Sequence, residues 1–165
     1  MVKLDKYRFN SEGVSRQTPD ELYASLNEEF SFTLDVCADK ENTKCSQFFT
    51  VQDNALAKDW SGNVCWMNPP FGRSLSDFVK KAYAEGIKGT TVVCLLPVRS
   101  NTGWWHDYCM KGEIRLIRGR PKFQGYEHGL PWPLAVVIFG PKAENGVVKS
   151  LHLTHGAGRF YLSKL

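Results

Sequence analysis

Val64-Cys65-Trp66-Met67-Asn68-Pro69-Pro70-Phe71 is an apolar, β-prone run that stops abruptly at an amide, two prolines and an aromatic ring. The turn-forming Ser61-Gly62-Asn63 precedes it, so the run reads as a buried strand. Pro70 biases Pro69 away from helix, and neither proline has an N–H to give to a sheet. The chain must therefore leave the sheet here in a stiff, extended form. The Asn68 amide and the Pro69 carbonyl are left as acceptors at the carboxyl end of a strand, the edge where open α/β sheets bind ligands.

Working outward, the next elements support a parallel sheet. Ser74-Leu75-Ser76-Asp77 can cap a helix whose apolar side is Phe78, Val79, Ala82 and Tyr83, ended by Gly86 or Gly89. Residues 90–97 form the clearest buried strand. A helix between two fully apolar strands is the βαβ pattern. Residues 133–140 read as another buried strand. Residues 113–118 alternate charge and aliphatic, so they read as a strand partly facing solvent. Upstream, Thr18 is placed as an N-cap, Pro19 as the first helical residue and Glu21 as the close of a capping box. Leu22, Tyr23, Leu26 and Phe30 follow at helical spacing. Residues 32–38 read as the first core strand, with Asp35 late in it and the small Cys37 and Ala38 after it. A brief strand is expected within 47–50, and the tail offers an edge strand.

Composition sets the bounds. Hydrophobic content of 42% and charged content of 23% are ordinary for a globular domain, and one domain over residues 1–165 is expected, with 1–15 a loosely held arm. No apolar run is long enough to cross a membrane. Residues 1–6 lack a signal-peptide core, so a cytoplasmic location is expected. The net charge of +4 permits nucleic acid as a partner without specifying it. Five cysteines lack any C-x-x-C pair. Cys37, Cys65 and Cys94 read as small buried thiols, and Cys45, His106 and Cys109 lack paired ligand spacing, so no metal is expected. Arg118, Arg120 and Lys122 fall with Phe123, Tyr126 and His128 in a glycine-rich loop; cations with rings on a loop suit phosphate and base contact.

Asn68-Pro69-Pro70-Phe71 resembles the catalytic box of amino-methyltransferases, usually Asp/Asn/Ser-Pro-Pro-aromatic. The chemistry accounts for the residue types. An exocyclic amino group on a base is a poor nucleophile because its lone pair is delocalised into the ring. Two acceptors, Asn68 Oδ1 and the Pro69 carbonyl, can hold its two hydrogens and aim the lone pair. With Thr18-Pro19, residues 34–38, residues 53–56, Leu95-Leu96-Pro97 and residues 119–123, the order and spacing are similar to the small phage-type (Dam-like) DNA N6-adenine methyltransferases.

The resemblance implies a Rossmann-like class I methyltransferase fold, an α/β architecture with a mostly parallel sheet flanked by helices. It implies S-adenosyl-L-methionine as methyl donor and adenine in double-stranded DNA as acceptor. Phe71 is then the ring on which a flipped base stacks. Gln17, Thr18 and Pro19 face the methionine end of the donor, beside Asn68. Asp35, Cys37 and Ala38 form a cofactor segment without the family's usual glycines. Asp53 and Asn54 approach the adenine end, and Asp39 or Glu41 the ribose. Plain alternatives exist for several: a capped surface helix at Thr18, and turn aspartates at Asp35 and Asp53. DNA recognition is expected from 72–76 and 99–130, through Arg73, Arg99, Arg118, Arg120 and Lys122, in a monomer or homodimer. The same box serves cytosine N4, RNA or protein glutamine, and a non-catalytic nucleic-acid-binding module is the remaining reading.

Overall fold

The computed structural model describes residues 18–121, 123, 130–153 and 160–163. In chain order these form α1 (Asp20–Phe30), β1 (Leu34–Asp35), β2 (Gln47–Phe48), β3 (Val64–Met67), α2 (Leu75–Ile87), β4 (Thr91–Pro97), α3 (Gly103–Asp107), β5 (Glu113–Arg118), β6 (Leu134–Phe139), β7 (Val148–Leu153) and β8 (Phe160–Ser163). The strands make one eight-stranded sheet in the order β2-β1-β3-β4-β6-β5-β7-β8. β2, β1, β3 and β4 are parallel, β6 runs against both β4 and β5, β7 is parallel to β5, and β8 closes the edge antiparallel. This is the mixed, mostly parallel sheet that the resemblance implies.

Burial on both faces explains why the central strands read as unbroken apolar runs. Val92, Cys94 and Leu96 pack with Leu75, Val79 and Ala82 of α2 and Trp105 of α3. Val93 and Leu95 point the other way, against Leu22, Leu26 and Phe30 of α1. The period-two alternation of a strand thus feeds two separate cores. Of the two glycines offered as the stop of α2, Gly86 lies inside the helix and Gly89 closes it: Gly89 takes φ +102°, the Thr90 N–H donates to Glu85 O and the Gly89 N–H to Gly86 O, a Schellman closure that needs a left-handed residue.

Two expectations are corrected. Thr18 does not cap α1: Pro19 holds the cap position, no side chain closes the first turn, and the box with Glu21 does not form. β5 turns Arg118 to water but not Glu113 and Arg115. Glu113 and Arg115 are 1% and 3% exposed, whereas Leu116 is 40% exposed. Arg115 donates to Glu113 Oε1 (2.7 Å) and forks onto both carboxylate oxygens of Glu29 in α1 (2.7 Å each), while Lys149 of β7 also reaches Glu113 (3.0 Å). The charges are inside because each has a partner there. The window 99–130 contains α3, a 3-10 turn and β5, with the short strand at 113–118 where it was expected. The expected arm at 1–15 lies outside the described residues.

Burial pushes the Glu113 carboxyl up, but the Glu144 N–H, Arg115 and Lys149 together outweigh it and hold it below the ordinary glutamate value. A depressed carboxyl contributes stability above its unfolded pKa and loses it as pH falls through the folded one. Arg115→Met should cost about 3 kcal/mol in urea unfolding at neutral pH, because a buried carboxylate keeps only part of its compensation. Wild-type stability should fall as pH drops below about 4.5, and Glu113→Gln should flatten that acid limb.

Candidate active site

The site is built by the register of two neighbouring parallel strands. Asp35 of β1 pairs with Trp66 of β3, and the Val36 N–H donates to Trp66 O at 3.0 Å. Two residues beyond that rung stand Cys37 on one strand and Asn68 on the other. Asn68 is half-buried, Pro69 buried, Pro70 exposed and Phe71 half-buried. Phe71 touches both cores, so its ring lies at the seam where the two faces of the sheet meet.

Asn68 Nδ2 donates to Thr18 Oγ1 at 3.1 Å, across fifty positions of sequence. Thr18 is 2% exposed. The hydroxyl that sequence reading spends on a helix cap holds the box amide instead. With Nδ2 committed to a hydroxyl, the amide is oriented with Oδ1 as its remaining acceptor end.

Asp35 is 3% exposed. Its Oδ1 accepts from the Cys37 N–H (3.3 Å) and its Oδ2 from the Lys44 N–H (3.1 Å). Among the described residues no cation lies within ion-pair distance of it. Burial pushes its carboxyl above the ordinary aspartate range, against the pull of the Lys44 and Cys37 N–H groups. The segment after Asp35 is short-sided, with Cys37 and Ala38 half-buried, and Ala38 N–H bonds Phe49 O at 3.0 Å.

Other expected positions divide. Pro19 is half-buried beside Thr18, and Gln17 lies outside the described residues. Asp53 is exposed and closes its own turn, accepting from the Thr50 N–H (2.8 Å) and hydroxyl (2.7 Å), which hold its carboxyl below its ordinary value. Asn54 next to it is exposed at φ +52°. Asp39 accepts from the Glu41 and Asn42 N–H groups, each at 2.9 Å. Arg73, Arg99, Arg118 and Arg120 are all exposed, and they follow or end β3, β4 and β5 at the carboxyl edge. Lys122, Tyr126 and His128 lie outside the described residues. Phe123 is corrected: at 1% exposure it is core, packed with α1, so it anchors the loop rather than offering a ring to a base.

A family model described as DNA N-6-adenine-methyltransferase (Dam) matches residues 10–132. The chain belongs to this family. It is therefore an enzyme, a DNA N6-adenine methyltransferase by family. A protein of Haemophilus phage HP1 named DNA N-6-adenine-methyltransferase is 36% identical over 141 residues, 80% of this chain and 80% of that protein. One of Escherichia phage T1 with the same name is 34% identical over 92 residues, 54% of this chain and 38% of that protein. Among the described residues no helix is long and apolar enough to cross a membrane.

The Thr18 bond gives a direct check of the site. Thr18→Val keeps the shape and removes the acceptor. It should lower kcat for methyl transfer about tenfold, of the order expected for one lost orienting bond, while urea unfolding shows the fold intact.

Proposed function

We propose that this chain transfers a methyl group from S-adenosyl-L-methionine to the N6 amino group of adenine in double-stranded DNA. The observation that carries the reading is the Asn68 amide, placed past the carboxyl end of β3 and oriented by buried Thr18. Asn68 Oδ1 and the Pro69 carbonyl accept the two N6 hydrogens, which localises the nitrogen lone pair for attack. Asparagine takes no proton, so the proton that N6 sheds goes to water. Phe71 supplies a ring against which the extruded base stacks. When bound, the donor supplies a methyl group on a cationic sulfur. The residues fit such a cation: Asp35 is a buried carboxylate without an ion-pair partner among the described residues, and Cys37 and Ala38 leave room beside it. Arg73, Arg99, Arg118 and Arg120 fit phosphate contact along the same edge.

The decisive experiment supplies radiolabelled methyl donor and unmethylated duplex DNA, then digests to nucleosides. Label in N6-methyl-2′-deoxyadenosine is expected; label on cytosine, or on RNA or protein alone, overturns the assignment. Asn68→Ala should cut kcat at least a hundredfold, the magnitude seen when one preorganised polar group leaves an active site.

Donor affinity should depend on Asp35 ionisation. A buried acid with a raised pKa is charged only above that pKa, and a cationic ligand favours the charged form. Calorimetric affinity should therefore fall as pH is lowered through the Asp35 titration. In Asp35→Asn it should be about tenfold weaker, or 1.4 kcal/mol, and flat with pH.

A further inference from the structure

Tyr23 and Lys44 join the two halves of the site. Lys44 makes contacts in three directions. Its backbone N–H donates to Asp35 Oδ2 (3.1 Å), its Nζ pairs with Asp20 Oδ1 at the start of α1 (2.6 Å), and its carbonyl accepts from the Tyr23 hydroxyl (2.9 Å). The Tyr23 hydroxyl also meets Cys45 Sγ at 3.4 Å. Tyr23 donates its own N–H to Pro19 O at 3.1 Å. Pro19 adjoins Thr18, whose hydroxyl holds Asn68. The Tyr23 ring lies edge-on to Trp66 at 5.6 Å, and Trp66 is two residues before Asn68. An unbroken path of bonds therefore runs from the buried carboxylate, through Lys44 and the first turn of α1, to the box amide.

We propose that Lys44 and Tyr23 are positioning residues that couple the two sides of the site, so that filling the Asp35 side orients Asn68 for the adenine. The inference rests on the reading of Asn68 given above. Its physical basis is the shape of the linkage. The segment after Asp35 cannot shift at Lys44 without carrying the Lys44 carbonyl and ammonium, and these hold Tyr23 and Asp20 of α1. The far end of α1 is anchored independently, by the Arg115 fork onto Glu29 and by Leu26 and Phe30 in the core. Loss of the Tyr23 hydroxyl therefore slackens the first turn without unseating the helix. Coupling of this kind is reciprocal for binding, so bound DNA should tighten donor binding.

A double-mutant cycle tests it. Tyr23→Phe keeps the ring and removes the hydroxyl; Thr18→Val breaks the last bond of the path. With saturating S-adenosyl-L-methionine and unmethylated duplex plasmid DNA, each should lower kcat per titrated active site about tenfold. KM for DNA should stay within about twofold, since the phosphate contacts are untouched. The double mutant should be no worse than the poorer single, because both break one path. Calorimetry should show DNA tightening donor binding in the wild type and not in Tyr23→Phe. Lys44→Met, which keeps the backbone N–H and the stem, should show a smaller kcat loss, and Lys44→Arg should restore it. Losses that multiply to about a hundredfold in the double mutant would overturn the proposal. So would a Tyr23→Phe protein with fewer active sites but unchanged kcat per site, which marks a purely structural role. Either outcome leaves the Asn68 reading standing, whereas full activity in Asn68→Ala removes that reading and the coupling with it.

Discussion

Two consecutive prolines impose the constraint on which the site depends. Neither Pro69 nor Pro70 can donate to a neighbouring strand, so β3 ends at Met67 in the middle of a sheet whose β4 neighbour continues to Pro97. The β3–β4 pairing therefore stops at Met67 and Cys94, three residues short of the end of β4. The residue at the break, Asn68, keeps a polar side chain half-buried, and a half-buried amide must find partners. One partner is Thr18.

That bond gives α1 two tasks. It covers one face of the sheet through Leu22, Leu26 and Phe30, and it delivers Thr18 to the site. Both need the helix in a fixed position along the sheet. Apolar packing alone tolerates sliding; directional bonds do not. Arg115 reaches Glu29 at one end, with Phe30 under its guanidinium at 5.3 Å from the ring centroid. Lys44 and Tyr23 hold the other. The buried charges of β5 therefore belong to the same design as the site: they cost solvation, and what they supply is register.

The carboxylate at Asp35 shows the complementary situation. Its oxygens are met by backbone N–H groups, enough to orient it and too little to neutralise it. Burial pushes its carboxyl above the ordinary aspartate range, and the segment that follows carries the small side chains of Cys37 and Ala38. The exposed Arg73, Arg99 and Arg118 follow or end β3, β4 and β5 at the same carboxyl edge.

By itself the sequence determined the main elements and the place where β3 breaks off at the box. Apolar runs at 64–67, 91–97 and 134–139, the helical spacing of Leu22, Leu26 and Phe30, and a glycine stop at 86 or 89 are local signals, because periodicity and backbone restriction act within a few residues. Asn68-Pro69-Pro70-Phe71 was readable for the same reason. Tertiary structure decided the partners. Thr18 carried every local mark of a cap, yet its hydroxyl serves a residue fifty positions away. Glu113 and Arg115 alternated as an exposed strand does, yet they are buried because Glu29 and Lys149 arrive from other elements. Phe123 sat among cations like a ring for a base and is core instead. Tyr23 fitted the helix stripe and gave no sign of its bond to Lys44. A hydrogen bond or ion pair depends on where two distant segments meet, and that is settled by the packing of the whole sheet.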